Sequence, residues 1–347
     1  MSEHSQTLVF RVDAGTSMGT GHVMRCLALA QAWRDQGNRG VFAMSSSTPA
    51  VDERLLLEGM DVMKVNASTG SEEVAAELIQ FARNEGANWV VSDGYAFCAE
   101  YQRCLKRAGV RHLLVDDLGR IGGYYADIVL DQNASASESL YRDRQTNTRL
   151  LLGSCYILLR REFACWREWK REITANARRI LVTMGGTDPD NLTEYAIRAL
   201  ATAAPRNLEV VVVTTTSCPH RRAIESAGAA FPGKLKVLQN TTNMPELMAW
   251  ADLAIIAAGG TLWELLYMGC PAISFARNGT QREVITQLHQ QGIVETVERG
   301  QASEGAFLAS TVYELLNSAE RRRRMNAMGR ERIDGRGAQR VCEFLRG

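Results

Sequence analysis

Apolar residues fall in two rhythms that alternate along the chain: short unbroken runs, and longer stretches with apolar positions three and four apart. The short runs predict strands at Leu8–Val12, Gly40–Met44, Asp61–Val65, Trp89–Ser92, Arg111–Val115 and Asp127–Leu130. Between them, Val23–Trp33, Ala50–Leu57, Glu72–Asn84 and Cys98–Ala108 predict helices. The alternation resumes with strands at Ile180–Met184, Leu208–Val213, Leu235–Leu238, Leu253–Ala258 and Ala272–Phe275. Its helices are Leu192–Ala203, Pro219–Ser226, Leu262–Met268, Arg282–Gln291, Ser303–Leu315, Ala319–Ile333 and Ala338–Leu345. Strands alternating with helices imply parallel sheets covered on both faces, with ligands at the carboxyl ends of the strands. Ala134–Arg149, rich in Ser, Asn, Asp and Arg, reads as a loop, and the mixed Tyr156–Lys170 as a segment between domains. The expected division is 1–150, a connecting 151–177, and 178–347, with the final helices able to pack back across the domain junction.

Composition narrows the class. A chain of 347 residues is long enough for two domains. Lys and Arg total 40 against 39 Asp and Glu, so bulk charge gives no case for nucleic acid or an anionic membrane. The basic run Arg321–Arg324, with acids around it, reads as a solvated helix face. No apolar run reaches the length of a membrane span, and the polar start MSEHSQTLVF argues against a signal peptide. The eight Cys are scattered without paired spacing, and most read as small core residues in a reducing compartment. The expectation is a cytoplasmic, monomeric enzyme with a small-molecule substrate, no metal, no cofactor, no nucleic-acid partner and no stable membrane insertion.

Candidate chemistry lies where strands end. After the first strand come Asp13 and the loop AGTSMGTGH, with Gly15, Gly19 and Gly21, and His22 stands where the loop meets the helix. The spacing is neither the dinucleotide fingerprint nor a P-loop. A His there can be a base, a phosphate contact or a cap, and a helix N-terminus favours its neutral form. Arg25, one turn on, can reach a substrate anion or hold an acid. Arg11 and Asp13 end the first strand, Asp93 and Tyr95 the fourth, and Asp116 and Asp117 the fifth; an Asp in such a place is often a cap or turn former, while Asp13 and Asp93 could also orient His22 or contact a sugar.

The second half carries AAGGTLWELLYMGCP, an apolar run stopped by Gly259 and Gly260 before a helix. A glycine turn feeding a helix N-terminus suits phosphate. Glu264, three residues after Thr261, is either half of a capping box or an acceptor for ribose hydroxyls. Asp190 or Asn191 is expected to cap the helix from Leu192. Thr187, Asp188, Asn278, Thr280 and Gln281 are candidates for the same nucleotide side; Gln281 is either a diphosphate or sugar contact or a surface cap.

Six stretches together carry a resemblance: FRVDAGTSMGTGHVMRCLALA, VVSDGY, LLGSCYILLRREF, ILVTMGGTDPDN, AAGGTLWELLYMGCPAI followed by NGTQ, and IDGRGAQRV. In order and over most of the chain, they resemble the UDP-2,4-diacetamido-2,4,6-trideoxy-L-altrose hydrolases of pseudaminic acid synthesis. That group is similar to MurG-type glycosyltransferases. The resemblance implies the GT-B fold, an α/β architecture with two Rossmann-like domains facing across a cleft. It implies hydrolysis of a UDP-sugar at the anomeric carbon, with metal-independent turnover; the rival is transfer to an acceptor. A third reading, binding without turnover, is opposed by the His22 loop. In the implied mechanism His22 is the base, and Asp13, Asp93 and Tyr95 bind the sugar or tune it. The diphosphate lies over Gly259, Gly260 and Thr261, with Gln281, Asn278 and Arg11 or Arg25 nearby; Gly21 lines the substrate and Glu264 grips the ribose.

Overall fold

The structure, a computed structural model, describes residues 5–15, 19–66, 72–203, 207–297 and 304–346. It divides into two units, Met1–Arg161 with Gly335–Gly347, and Glu162–Asp334.

In the first unit the strands are β1 (Thr7–Val12), β2 (Arg39–Met44), β3 (Asp61–Lys64), β4 (Trp89–Asp93), β5 (Arg111–Val115), β6 (Ile128–Asp131) and β7 (Arg149–Leu152). Helices α1 (Gly21–Arg34), α2 (Pro49–Leu57), α3 (Glu72–Asn84) and α4 (Ala99–Arg107) lie between them in sequence. All seven strands are parallel, in the order β3-β2-β1-β4-β5-β6-β7. Its central strands are buried on both faces. Leu8, Phe10 and Val12 share one apolar cluster with α1, while Val9 shares the other with α3 and α4. The strands therefore read as near-continuous apolar runs, as two-sided burial requires.

The second unit contains β8 (Arg179–Thr183), β9 (Glu209–Thr214), β10 (Lys234–Gln239), β11 (Leu253–Ala257), β12 (Ala272–Phe275) and β13 (Glu295–Thr296). They form a parallel sheet in the order β10-β9-β8-β11-β12-β13. Its helices are α5 (Leu192–Ala203), α6 (Arg221–Ala229), α7 (Met244–Trp250), α8 (Gly260–Tyr267), α9 (Gly279–Gln290), α10 (Glu304–Asn317) and α11 (Ala319–Arg332). The final helix, α12 (Gly337–Arg346), returns to the first unit, where Val341, Cys342 and Leu345 join the cluster of Leu27 and Trp33.

Several sequence expectations change. The boundary falls at Arg161, inside the connecting segment expected at 151–177, but α12 groups with the first unit instead of with 178–347. Arg161 pairs with Asp35 at 2.8 Å and Glu58 at 2.7 Å, fixing the start of the connecting segment to α1 and α2. The stretch read as a loop at 134–149 holds a short 3₁₀ turn, Glu138–Tyr141, anchored by fully buried Tyr141. Arg322 is also fully buried: it donates to the carbonyls of Leu315 and Thr174, so the basic run is not wholly a solvated face. Of the eight Cys, all free, Cys98, Cys155 and Cys165 are exposed rather than core. No helix among the described residues is long and apolar enough to cross a membrane.

Candidate active site

In the first unit the chain leaves β1 toward β2 on one side and returns to β4 on the other, so β1 and β4 flank the switch point of the sheet. Ligands of parallel sheets collect at that place. The loop after β1 delivers His22 to the first turn of α1, which begins at Gly21, two residues earlier than the apolar pattern predicts. Residues 16–18 of that loop lie outside the described residues.

His22 Nδ1 lies 2.7 Å from Asp93 Oδ1 at the end of β4. The Asp93 side chain is completely buried, yet its acidity is strengthened. Burial alone would raise its pKa, but the Arg25 guanidinium, and His22 after it, outweigh burial and hold it well below the usual carboxylate range. A carboxylate accepts only, so Nδ1 must carry the proton and Nε2 holds the basic lone pair of neutral His22. Arg25 clasps Asp93 with both arms of a fork, Nε to Oδ2 at 2.5 Å and Nη2 to Oδ1 at 2.6 Å. Its third nitrogen, Nη1, donates to both Asp117 oxygens at 2.9 and 2.7 Å. Burial opposes the charge on Arg25, but Asp117 and Asp93 outweigh it and raise its pKa well above the ordinary value. Arg25 thus holds acids, one of the two roles expected of it.

Tyr95 meets the His22 ring edge-on at 5.1 Å and is 64% exposed. Gly94 (φ +146°), in a region L-residues rarely adopt, lets the chain turn between Asp93 and Tyr95. His22, Arg25, Asp93, Tyr95 and Gly21 therefore sit together.

Arg11 and Asp13 do not join them. Arg11 is fully buried and pairs with Asp13 at 2.8 Å. Asp13 also accepts from the backbone N–H groups of Ser45 and Ser46 at 2.7 and 3.0 Å, and from the Ser45 hydroxyl at 2.9 Å. Burial works against the Asp13 charge, but Arg11 and these donors keep its pKa lowered. The pair ties the end of β1 to the end of β2, a turn-holding role, and no hydrogen bond between Asp13 and His22 is present among the described residues.

Asn133 is not among the candidates, and Asp117 is there only as a strand-end acid with no role at His22, although the strand-end rule that selects Asp93 touches Asp116, Asp117 and Asp131 equally. Asn133 Nδ2 bridges Asp117 Oδ1 at 3.2 Å and Asp131 Oδ1 at 3.0 Å. Asp131 also accepts the Tyr141 hydroxyl at 2.9 Å. Burial pushes the Asp131 pKa up to about 6; the Asp117 charge adds to this, and the Asn133 and Tyr141 donors oppose it.

In the second unit β8 and β11 are the strands at the switch point. Gly259 is the N-cap of α8, and the helix begins at Gly260. Thr261 is thus inside the helix and is not its cap residue, the position that the capping-box alternative gives it. Glu264 is half-buried in the helix. A Cβ on Gly259 or Gly260 would meet nothing within 4 Å, and the Gly259 φ of 162° is extended backbone. Neither packing nor torsion demands glycine at these two positions.

Asn278 accepts the Gln281 N–H at 2.9 Å as the cap of α9, and the Gln281 side chain folds back to accept the Arg277 N–H at 2.9 Å. Both side chains have local capping work. Asp188, not Asp190 or Asn191, caps α5: its oxygens accept the N–H groups of Leu192 and Thr193, each at 2.9 Å. No group of three or more His, Cys, Asp or Glu among the described residues is placed to hold a metal ion.

Comparison with known proteins decides the architecture. MurG of Acinetobacter baumannii superposes on the chain with a TM-score of 0.67 at 15% identity, covering 98% of this chain and 99% of that one. The fold is GT-B. Residues 179–340 match the model of the glycosyltransferase family 28 C-terminal domain, which places the Gly259–Glu264 turn within the matched region. An uncharacterised protein of Methanocaldococcus jannaschii is 26% identical over 78% of this chain, and the chain spans 56% of its length. A UDP-2,4-diacetamido-2,4,6-trideoxy-beta-L-altropyranose hydrolase of Campylobacter jejuni is 27% identical over 82% of this chain and 97% of its own length.

Proposed function

We propose that the protein is a GT-B enzyme that cleaves the anomeric C–O bond of a UDP-sugar, with His22 as the general base. The observation that carries this reading is the His22–Asp93 contact, which leaves Nε2 as the basic atom of a ring that meets exposed Tyr95 edge-on. A neutral base must remove a proton from the nucleophile as the bond to the leaving diphosphate breaks. The oxygen attacks the anomeric carbon, the C–O bond to phosphate breaks, and the proton passes to Nε2. The charge that develops on the diphosphate needs fixed donors. The N-terminus of α8 offers backbone N–H groups and the positive end of a helix dipole, and the bare Gly259 and Gly260 leave room for phosphate to approach. Glu264 is the candidate for the ribose hydroxyls. Asn278 and Gln281 cap through their amide oxygens, so their NH2 groups are the ones that would donate to nucleotide oxygens.

The matched glycosyltransferase domain and the MurG-like fold favour transfer of the sugar to an acceptor hydroxyl. Hydrolysis, with water in place of the acceptor, is the second reading. It is supported by the Campylobacter hydrolase, matched over nearly its whole length.

The deciding experiment incubates the protein with a panel of UDP-sugars in oxygen-18 water, with and without sugar and lipid-alcohol acceptors. UDP release with label in the free sugar supports hydrolysis, and a glycosylated acceptor supports transfer. Neither product with any donor sinks both readings. His22→Ala is expected to lower turnover by about 10²–10⁴-fold with UDP affinity unchanged; near-normal turnover removes His22 as the base.

A further inference from the structure

The His22 tautomer depends on more than Asp93. Arg25 Nη2 lies 3.2 Å from His22 Nδ1 as well as 2.6 Å from Asp93 Oδ1. A guanidinium only donates. If Arg25 aims Nη2 at Asp93, Nδ1 keeps its proton and Nε2 is free to accept. If Arg25 aims Nη2 at Nδ1, Nδ1 must be bare, the proton moves to Nε2, and the ring cannot serve as a base there. Nη2 carries two N–H groups, so its bond to Asp93 alone does not decide between these arrangements; the orientation of the guanidinium plane does, and the side chain that fixes that plane is the one holding the far end of Arg25.

That side chain is Asp117. Both its oxygens take Arg25 Nη1, and it is itself held by Asn133 Nδ2, whose other bond goes to buried Asp131. The chain of contacts runs across the carboxyl ends of β6, β5 and β4 to α1. Each link is 3.2 Å or shorter. The bond of Asp117 to Nη1 keeps the guanidinium plane in line with the Asp93 carboxylate, because all the nitrogens of the fork share that plane.

We propose that Asp117, anchored by Asn133, is a positioning residue that locks Arg25 against Asp93 and so holds His22 in the Nδ1–H tautomer. This rests on the reading of His22 as the base. Asp117 does not touch the ring or the reacting atoms; its effect passes through Arg25. The same logic makes Arg25 part of the base assembly and not an anion contact for the substrate.

The test reads the tautomer directly and does not require turnover. Nitrogen-15 chemical shifts of the His22 ring are recorded in the full-length protein at a pH where imidazole is neutral, and assigned by their loss in His22→Ala. The native protein is expected to show a protonated Nδ1 and a bare Nε2. Asp117→Asn is expected to shift the ring to a mixture of tautomers and lower kcat by about 10–100-fold with KM little changed. Asp117→Glu restores both in part. A native ring signature in folded Asp117→Asn overturns the proposal. If Asp117→Asn does not fold, Asn133→Ala, which only loosens Asp117, is expected to give a smaller shift in the same direction, and an unchanged ring overturns the proposal there too. Undiminished turnover of His22→Ala would instead remove the base reading, while leaving the tautomer measurement to decide the role of Asp117.

Discussion

Two buried carboxylates of the first unit titrate in opposite directions, and their partners explain why. Asp93 faces Arg25 and stays charged; Asp131 faces Asp117 and has only neutral donors to offset burial. The consequence for stability has a definite sign. Below about pH 4 Asp131 is protonated whether folded or not. As pH rises toward 6 the unfolded chain loses that proton first, so the folded state loses stability across this window and does not regain it above. A shift from 3.8 to about 6 corresponds to about 3 kcal/mol. Asp131→Asn keeps an oxygen for Asn133 and removes the charge. Its urea midpoint is expected to exceed that of the native protein at pH 7.5 and to approach it at pH 4. A constant difference between the two proteins over that range would mean that Asp131 does not carry the shift. Asp93 has the reverse sign: its contribution is present above pH 4 and is lost as pH falls. At this scale the sequence makes His22, Asp93 and Arg25 legible, because polar residues at strand ends stand out from apolar runs. It does not separate them from Arg11 and Asp13, which look the same in one dimension. What separates them is the neighbour across the sheet: Ser45 and Ser46 at the end of β2 occupy Asp13, and no local pattern records that.

The central strands and the amphipathic helices are the best-read level, since two-sided burial gives those strands unbroken apolar runs, while edge strands such as β3 (DVMK) and β10 (KLKVLQ) are half-exposed and mixed. Ends are less legible. The helix carrying His22 begins at Gly21 because that turn needs no apolar residue, and α8 begins at Gly260 for the same reason. The Glu138–Tyr141 turn escapes the pattern entirely: it is too short for periodicity, and one side chain anchors it. Tyr141 donates to Asp131 and to the Asp116 carbonyl from a fully buried position. The start of α8 gives a prediction that separates fold from function. A methyl group on Gly260 would meet open space, and alanine is favoured over glycine in a helix. Gly260→Ala is therefore expected to change stability by less than about 1 kcal/mol. If phosphate approaches this backbone closely, the same methyl group should weaken UDP binding by about tenfold or more, since about 1.4 kcal/mol suffices for that factor. Calorimetric titration with UDP checks it, and an unchanged affinity in a normally stable variant moves the phosphate site elsewhere.

At the scale of the whole molecule the two-domain plan is readable from the repeated alternation of elements, and so is a return of the final helices across the junction, but not which helix returns or to which core. The periodicity of α12 shows an apolar face, with Val341 and Leu345 on it, and is silent about which core receives that face. The structure assigns it to the first unit, more than three hundred residues back along the chain, where it packs against α1. Full burial of side chains such as Val341 and Leu345 is worth about 1.5–3 kcal/mol each, a large share of the 5–15 kcal/mol that holds a typical domain together. The entry to α12 is correspondingly tight. A Cβ on Gly337 would lie 2.5 Å from the carbonyl carbon of Tyr156 and closer still to the Ile157 oxygen, both backbone atoms of the first unit. Gly337→Ala must push α12 away from that segment, and through α12 it loosens α1, the helix that presents His22 and Arg25. The expected outcome is a loss of about 2 kcal/mol or more. By hydrogen exchange it should appear as lost protection in α1 and β1, with protection of β8 to β12 and the affinity for UDP retained. Loss of protection confined to the second unit would place the helix in the other core.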